Sequence, residues 1–199
     1  MQRLAVTLIA AVLAVVGCGG DDDEKQPPPP TERVETVDKL PKLPDRWKRY
    51  ENRRGGFVVG LPPGWKASDR DRGPVSLIRS YDRLVAISIS PDRTDEALGI
   101  DIDQFAARAT AALPGLEGAA QPSDPRPYKH RYEAVQSTLE AKEADSGVKQ
   151  RVSLIVIRRD HVVTFTAVIA ANADRRARPS ERLARKVVAT LRSRPPSSG

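Results

Sequence analysis

Hydrophobic positions along this chain change their period several times, and each change marks an element. Residues 57–61, Phe-Val-Val-Gly-Leu, alternate and stop at Pro62-Pro63-Gly64, which predicts a strand and then a turn, with Trp65 directly after it. Residues 75–81 and 84–90 read as a hairpin around Asp82-Arg83. Val85, Ile87 and Ile89 share one face and Ala86, Ser88 and Ser90 the other, so one face is buried and the other is small or polar. After Pro91 the spacing becomes helical. Ile102, Phe105, Ala106, Ala109, Ala112 and Leu113 recur three and four apart, Asp101 and Gln104 have the form of an N-cap with its partner, and Pro114-Gly115 ends the helix.

A connection rich in Pro and Gly runs from 118 to about 129. Three strands follow as a meander: 132–144, turning at Asp145-Ser146-Gly147; 148–158, turning at Arg159-Asp160; and 161–170. Residues 152–157 are apolar on both faces for most of their length, as expected of a central strand covered on both sides. A closing helix follows Pro179-Ser180-Glu181, with Leu183, Val187, Val188 and Leu191 inward and Arg182, Arg185 and Lys186 snorkelling or facing water. The order is β-ββ-α-βββ-α: an antiparallel β-sheet with helices packed on it, of class α+β.

The first residues follow a different logic. Arg3 supplies a positive charge, residues 4–16 form an almost unbroken apolar run, and Gly17 puts a small residue before Cys18. This is the order of a secretory signal. The run is too short for the ~20 apolar residues a membrane-spanning helix needs, and Asp21-Asp22-Asp23-Glu24 follows closely. Val15-Val16-Gly17-Cys18 resembles the lipobox of bacterial lipoproteins. The resemblance implies cleavage between Gly17 and Cys18 and diacylglycerol on the Cys18 thiol. Two acyl chains hold a protein at a membrane far better than one. Cys18 is the single cysteine, so its acylation leaves the mature chain no thiol for a disulfide, a redox motif or a zinc site. The expected location is the extracytoplasmic face of a cell membrane.

Charge is uneven. Residues 18–44 carry seven acidic and four basic side chains, net −3, while residues 45–199 carry 28 basic and 19 acidic, net +9. The acidic segment also holds Pro27-Pro28-Pro29-Pro30, Pro41 and Pro44 and has almost nothing able to pack, so it reads as a semi-rigid tether reaching at most roughly 80 Å. The expected organisation is a signal peptide at 1–17, lipidated Cys18 and tether at 18–44, a single α+β domain at 45–194 and a disordered tail at 195–199.

One resemblance covers the domain. Tyr50, Gly55-Gly56 and then Phe57-Val58-Val59-Gly60-Leu61-Pro62-Pro63-Gly64-Trp65 look like the opening of PsbP-like domains, in which an aromatic strand leads into Leu-Pro-x-Gly-Trp. The meander and last helix are similar to that family's second half, over about 47–193. The family includes the extrinsic PsbP protein of photosystem II, a Ran-binding import factor and bacterial lipoproteins of the LpqN type. The resemblance therefore implies a PsbP-like α/β sandwich with a binding or scaffolding habit. Nothing in this chain points to photosynthesis or to Ran.

Candidate chemistry is sparse. Gly-x-Ser-x-Gly, His-Glu-x-x-His, Gly-x-Gly-x-x-Gly and the phosphate-loop pattern are absent. His130 and His161 as a zinc pair lack a convincing third ligand and read as surface or hairpin residues. Asp69-x-Asp71-x-Gly73 echoes a calcium loop, but its twelfth position is Ser80 rather than a bidentate Glu. Asp21 to Glu24 read as solvated spacer rather than a metal site. Asp101 and Asp103 are explained by a helix cap and first-turn charge. Trp47 and Trp65 either pack under the first strand or line a ligand groove.

Arg158, Arg159, Arg175, Arg176, Arg178, Arg182, Arg185 and Lys186 form a candidate patch for anionic lipid headgroups or acidic wall polymers, with ordinary solvated charge as the other reading. No catalytic residue, metal or cofactor is expected beyond the diacylglycerol, and nucleic acid is not an expected partner. The functional expectation is a non-catalytic, membrane-anchored binding or accessory module of the cell envelope. A carrier or sensor of a small or lipidic ligand in a sheet-helix cavity is the alternative, and an enzyme of unrecognised type the third.

Overall fold

The computed structural model describes residues 42–69, 73–113, 116–117, 121–143 and 147–194. The leader, Cys18, most of the tether, Asp71, the turn residues Asp145 and Ser146 and the tail 195–199 lie outside them. The described strands are β1 (Lys48–Asn52), β2 (Phe57–Leu61), β3 (Lys66–Asp69), β4 (Ser76–Arg79), β5 (Val85–Asp92), β6 (Leu116–Glu117), β7 (Arg126–Pro127), β8 (Glu133–Glu143), β9 (Lys149–Arg159), β10 (Val163–Asn172) and β11 (Arg192–Ser193). The helices are α1 (Asp95–Gly99), α2 (Ile102–Ala111) and α3 (Arg178–Ala189).

The long strands β5, β8, β9 and β10 dominate an antiparallel sheet ordered β3-β4-β5-β10-β9-β8-β6, with β7 also paired to β8. Its register places Ile87 opposite Ile169 and Phe165 opposite Ile157. The two tight connections of the meander use left-handed residues: Gly147 has φ 65° and Asp160 φ 43°. The Asp82-Arg83 turn does the same at Arg83, φ 59°.

Strand β9 explains the layering. Ile155 and Ile157 point into one cluster with Phe57, Val59, Ile87, Phe165, Val187, Val188 and Leu191. The residues between them, Leu154 and Val156, point into a second cluster with Ile102, Ala106 and Val135. A strand apolar on both faces needs cover on both, and here α2 covers one face while α3 and a smaller sheet cover the other. That smaller sheet is ordered β1-β2-β11. The amphipathic pattern of α3 turns Ser180, Ala184, Val187 and Val188 inward and leaves Arg178, Arg182 and Lys186 exposed.

The two sheets are tied together by a polar cluster. Buried Asn52, ending β1, donates to Asp69 Oδ1 at 3.0 Å, Pro74 O at 3.1 Å and Ser76 Oγ at 2.8 Å, and accepts from the Gly55 amide at 2.7 Å. Tyr50 donates its hydroxyl to Asp69 and lies 2.9 Å from Ser76 Oγ. Burial, with the Asp69 carboxylate beside it, raises the Tyr50 phenol above its ordinary value.

The long elements stand in the order the pattern predicts, and short pairings fill the gaps between them. Strands β6, β7 and β11 have two residues each and so carry no period of their own. Strand β3, Lys-Ala-Ser-Asp, is an almost fully exposed edge whose identity comes only from its pairing with β4. Strand β5 continues through Pro91 and Asp92, where Pro91 faces Phe165. Helix α1 is a single capped turn: Thr94 accepts from the Ala97 amide at 3.2 Å. In β2 all five residues are buried, not one face in two: Phe57, Val59 and Leu61 enter the main cluster, and Leu43 and Trp47 lie over Gly60.

Candidate functional site

At one end of the larger sheet, the β9–β10 turn faces the residues that lead into β8. Between them lies an open cleft of about 500 Å³ lined by Arg131, Tyr132, Glu133, Arg158, Arg159, Asp160 and His161. The register of β8 on β9 builds it, because Glu133 sits directly opposite Arg158. Every lining residue except Tyr132 carries or can carry a charge, and both signs are present. Arg131, Glu133, Asp160 and His161 are exposed.

Arg158 is the fixed member. Its Nη2 donates to Ala97 O at 3.0 Å, its Nη1 to Ile100 O at 2.8 Å and its Nε to Thr164 Oγ1 at 3.3 Å. These carbonyls are at and just beyond the end of α1, where backbone acceptors have no partner within the helix and a cation is favoured. Arg158 therefore holds α1 against β9 and β10, and its residue is only 9% exposed. Tyr132 forms the inner wall. Its hydroxyl accepts from the Ser193 amide at 3.3 Å, and the Arg192 guanidinium lies 6.0 Å from its ring centre. His130 stands just behind it, with ring centres 5.2 Å apart. An open cleft of alternating charge suits charge-assisted hydrogen bonds to a polar partner, whereas pockets for apolar ligands are lined mainly by apolar side chains.

The eight cations of the candidate patch do not form one surface. Arg158 and Arg159 are buried at the cleft. Arg185 turns onto the sheet, donating to Gln136 Oε1 and Ser153 Oγ at 2.8 Å each, because β8 and β9 present polar side chains there in place of apolar ones. It is not a water-facing residue of α3. Arg175, Arg176, Arg178, Arg182 and Lys186 remain exposed together, along α3 and the 3₁₀ turn Arg175–Ala177 that leads into it.

The other candidates fall as follows. His161 is exposed at the cleft, whereas His130 joins chain segments: its Nδ1 accepts from the Tyr132 amide at 3.1 Å and its Nε2 lies 3.2 Å from Leu191 O. Asp101 caps α2, accepting from the amides of Asp103 at 2.8 Å and Gln104 at 3.3 Å. Asp69 belongs to the Asn52 cluster, while Asp71 lies outside the described residues. Trp65 is buried and Trp47 half-buried against the core, and neither lines the cleft. The space between α3 and the sheet, where a carrier would need its cavity, is filled by Ile155, Phe165, Val187, Val188 and Leu191, all fully buried. Among the described residues no group of three or more His, Cys, Asp or Glu could hold a metal ion, and no helix is long and apolar enough to cross a membrane.

The sequence singles out Arg158 and Arg159 only as members of a charged patch and His161 only as a surface or hairpin residue, and it does not mark Arg131, Tyr132, Glu133 or Asp160 as cleft residues. The signal for them is the meander itself, since pairing 133 with 158 brings the entry of β8 beside the β9–β10 turn.

No family model and no curated protein matches the chain. Solved structures do. A protein of Bacteroides thetaiotaomicron is similar at 16% identity and a TM-score of 0.52 over 74% of this chain, which spans about half of it (48%). The Ran-binding protein Mog1p of Saccharomyces cerevisiae is similar at 12% identity and a TM-score of 0.50, covering 74% of this chain and 95% of that one. LpqN of Mycobacterium tuberculosis, described as involved in cell envelope biogenesis, is similar at 18% identity and a TM-score of 0.47, covering 76% and 87%. The chain thus has an α+β fold of two antiparallel sheets and packed helices that it shares with Mog1p.

Proposed function

We propose that this chain is an exported lipoprotein, anchored through Cys18, whose α+β domain is a non-catalytic binding module for a protein partner of the cell envelope. The observation that carries the binding role is the cleft at the end of the sheet, whose charged walls of both signs match a polar protein segment better than an apolar ligand. Support for the anchor comes from Val15-Val16-Gly17-Cys18 and the acidic, proline-rich stretch after it. A binding role is also one that this fold serves in the Ran-binding Mog1p.

A photo-crosslinking side chain placed at His161 in the full-length protein in its own cells tests the reading, with Glu140, exposed far along β8, as the control position. One protein adduct from position 161 and none from 140 is the expected result. The same set of adducts from both positions, or none from 161, overturns it. Cys18→Ala tests the anchor separately: it should abolish acylation and leave residues 1–17 uncleaved, and a variant that is still cleaved and membrane-associated overturns the anchor.

A further inference from the structure

The outward side of α3 is a run of unshared positive charge. Arg178, Arg182 and Lys186 are four residues apart and so lie one above another along about 12 Å of helix; Arg175 and Arg176 extend the run by a turn. All five are exposed, and none of their side chains makes an ion pair with a described residue. The contrast within the same helix is sharp. Its one acid, Glu181, faces sideways and is taken by Arg151 at 2.8 Å and Arg185 at 3.6 Å. Asp174 accepts the Arg176 amide and starts the 3₁₀ turn. Helices exposed to water usually interleave signs on their outer face; concentrating one sign costs stability and attracts a surface of the opposite sign.

We propose that this face of α3 docks on a layer of anionic phospholipid headgroups. The occupant follows from charge and from where the chain begins. Leu43 packs over Gly60 of β2, and the Gly60 amide donates to Thr190 Oγ1 at 2.8 Å, just after α3. The preceding chain therefore joins the domain beside this helix. Cys18 is 25 residues before Leu43, a reach of at most roughly 80 Å, so an N-terminus held at a membrane keeps α3 in its vicinity. Tethering at that length turns docking into an intramolecular step, for which weak attraction per cation is enough. None of the five cations lines the cleft. Glu181 at the start of α3 holds Arg151, eight residues along β9 from Arg159, while the end of α3 leads into Arg192 beside Tyr132, so from Lys186 back to Arg175 the cations run along the helix away from the cleft. Only the nearness of the membrane rests on the anchor; the attraction itself does not.

The test uses the full chain with Cys18→Ser, which is then free of thiols, carrying either Ala189→Cys at the end of α3 or Ala107→Cys on the exposed side of α2, each labelled with a polarity-sensitive fluorophore. Residues 4–16 hold this chain on any vesicle, so the signal reads orientation rather than attachment. On phosphatidylglycerol/phosphatidylcholine vesicles the label at 189 should shift to an apolar spectrum and the label at 107 should not; pure phosphatidylcholine should shift neither. R178E/R182E/K186E, with R178Q/R182Q/K186Q as the gentler replacement, should cut the docked fraction relative to the undocked by about tenfold or more, and 0.5 M salt should act in the same direction. Equal shifts at 107 and 189, equal response on both lipids, or no effect of either triple variant overturns the proposal. Binding of soluble polyphosphate with no lipid-dependent shift also overturns it, in favour of a wall polyanion. Loss of docking with the position-161 adduct retained, or the reverse, tells the two proposals apart.

Discussion

Ser180 donates its hydroxyl to Asp82 Oδ2 at 2.7 Å, joining the first turn of α3 to the β4–β5 turn across 98 residues of chain. Ser80 donates to the other carboxylate oxygen, as does the Leu84 amide at 3.1 Å. Burial alone would push the Asp82 carboxyl up, but these three hydrogen bonds outweigh it and hold the carboxyl below its ordinary value. A folded-state value below the unfolded one means stability that is present above the unfolded carboxylate pKa and lost as pH falls through the folded one. Asp82→Asn should therefore cost about 1 kcal/mol at pH 7, kept low by the group's solvent contact, and progressively less below about pH 4, as read by urea unfolding at the two pH values.

His130 has the opposite linkage. Burial first, then the charge of Arg192, pushes its imidazole down to about 4, against a smaller upward pull from the Leu191 carbonyl. Below its unfolded value of about 6.5 the unfolded chain takes up a proton that the folded chain refuses, so stability drops as pH falls from about 6.5 to about 4. The expected loss is on the order of 1–2 kcal/mol after allowing for partial exposure. His130→Gln should flatten that stretch of the stability profile while lowering stability at pH 7.5.

Asn52 stands at the joint between the two sheets. Asn52→Ala strands several buried groups at once, the Gly55 amide and the carbonyl of Pro74 among them, and should cost about 2–3 kcal/mol in equilibrium unfolding. Asn52→Asp should not restore the wild-type value, because a carboxylate cannot donate to Pro74 O or Asp69.

Gly55 offers a steric check on the same joint. A Cβ there would lie 2.5 Å from Pro74 O and 2.6 Å from Phe57 Cε1, and one of these is backbone. Gly55→Ala should destabilise by roughly 2 kcal/mol through strain. At Gly60 an added Cβ meets chiefly the end of the Leu43 side chain at 2.6 Å, so Gly60→Ala should cost less and loosen the 43–47 segment first, visible as faster proteolysis there.

What the sequence makes legible here follows from where the information sits. Helix α3 and strand β9 declare themselves because burial imposes a period on many consecutive residues, and Ile155 and Val156 meet two separate clusters as their pattern requires. Two-residue pairings such as Arg192 with Val58 have no such record; they exist because the strand beside them has an open edge. The cleft is half legible. Arg159 and His161 flank a visible turn, but Glu133 reaches Arg158 only through strand register. Arg158 itself reads as surface charge in the sequence, since nothing local says that the carbonyls of Ala97 and Ile100 wait for it. Arg185 is concealed in the same way by Gln136 and Ser153.

Strand β2 has β1 on one side and β11 on the other, and the Arg194 amide closes the join by donating to Gly56 O at 2.7 Å. A strand near the start of this domain therefore has its second neighbour in Arg192 and Ser193, at the domain's other end. Without those residues the second edge of β2 and the groove for Leu191 stand bare, and no piece of the domain that stops short of them can finish the core. The two ends of the domain thus form one structural joint, so that removing residues 191–194 should leave Phe57 and Val58 without their second partner strand and open the core at the place Leu191 fills.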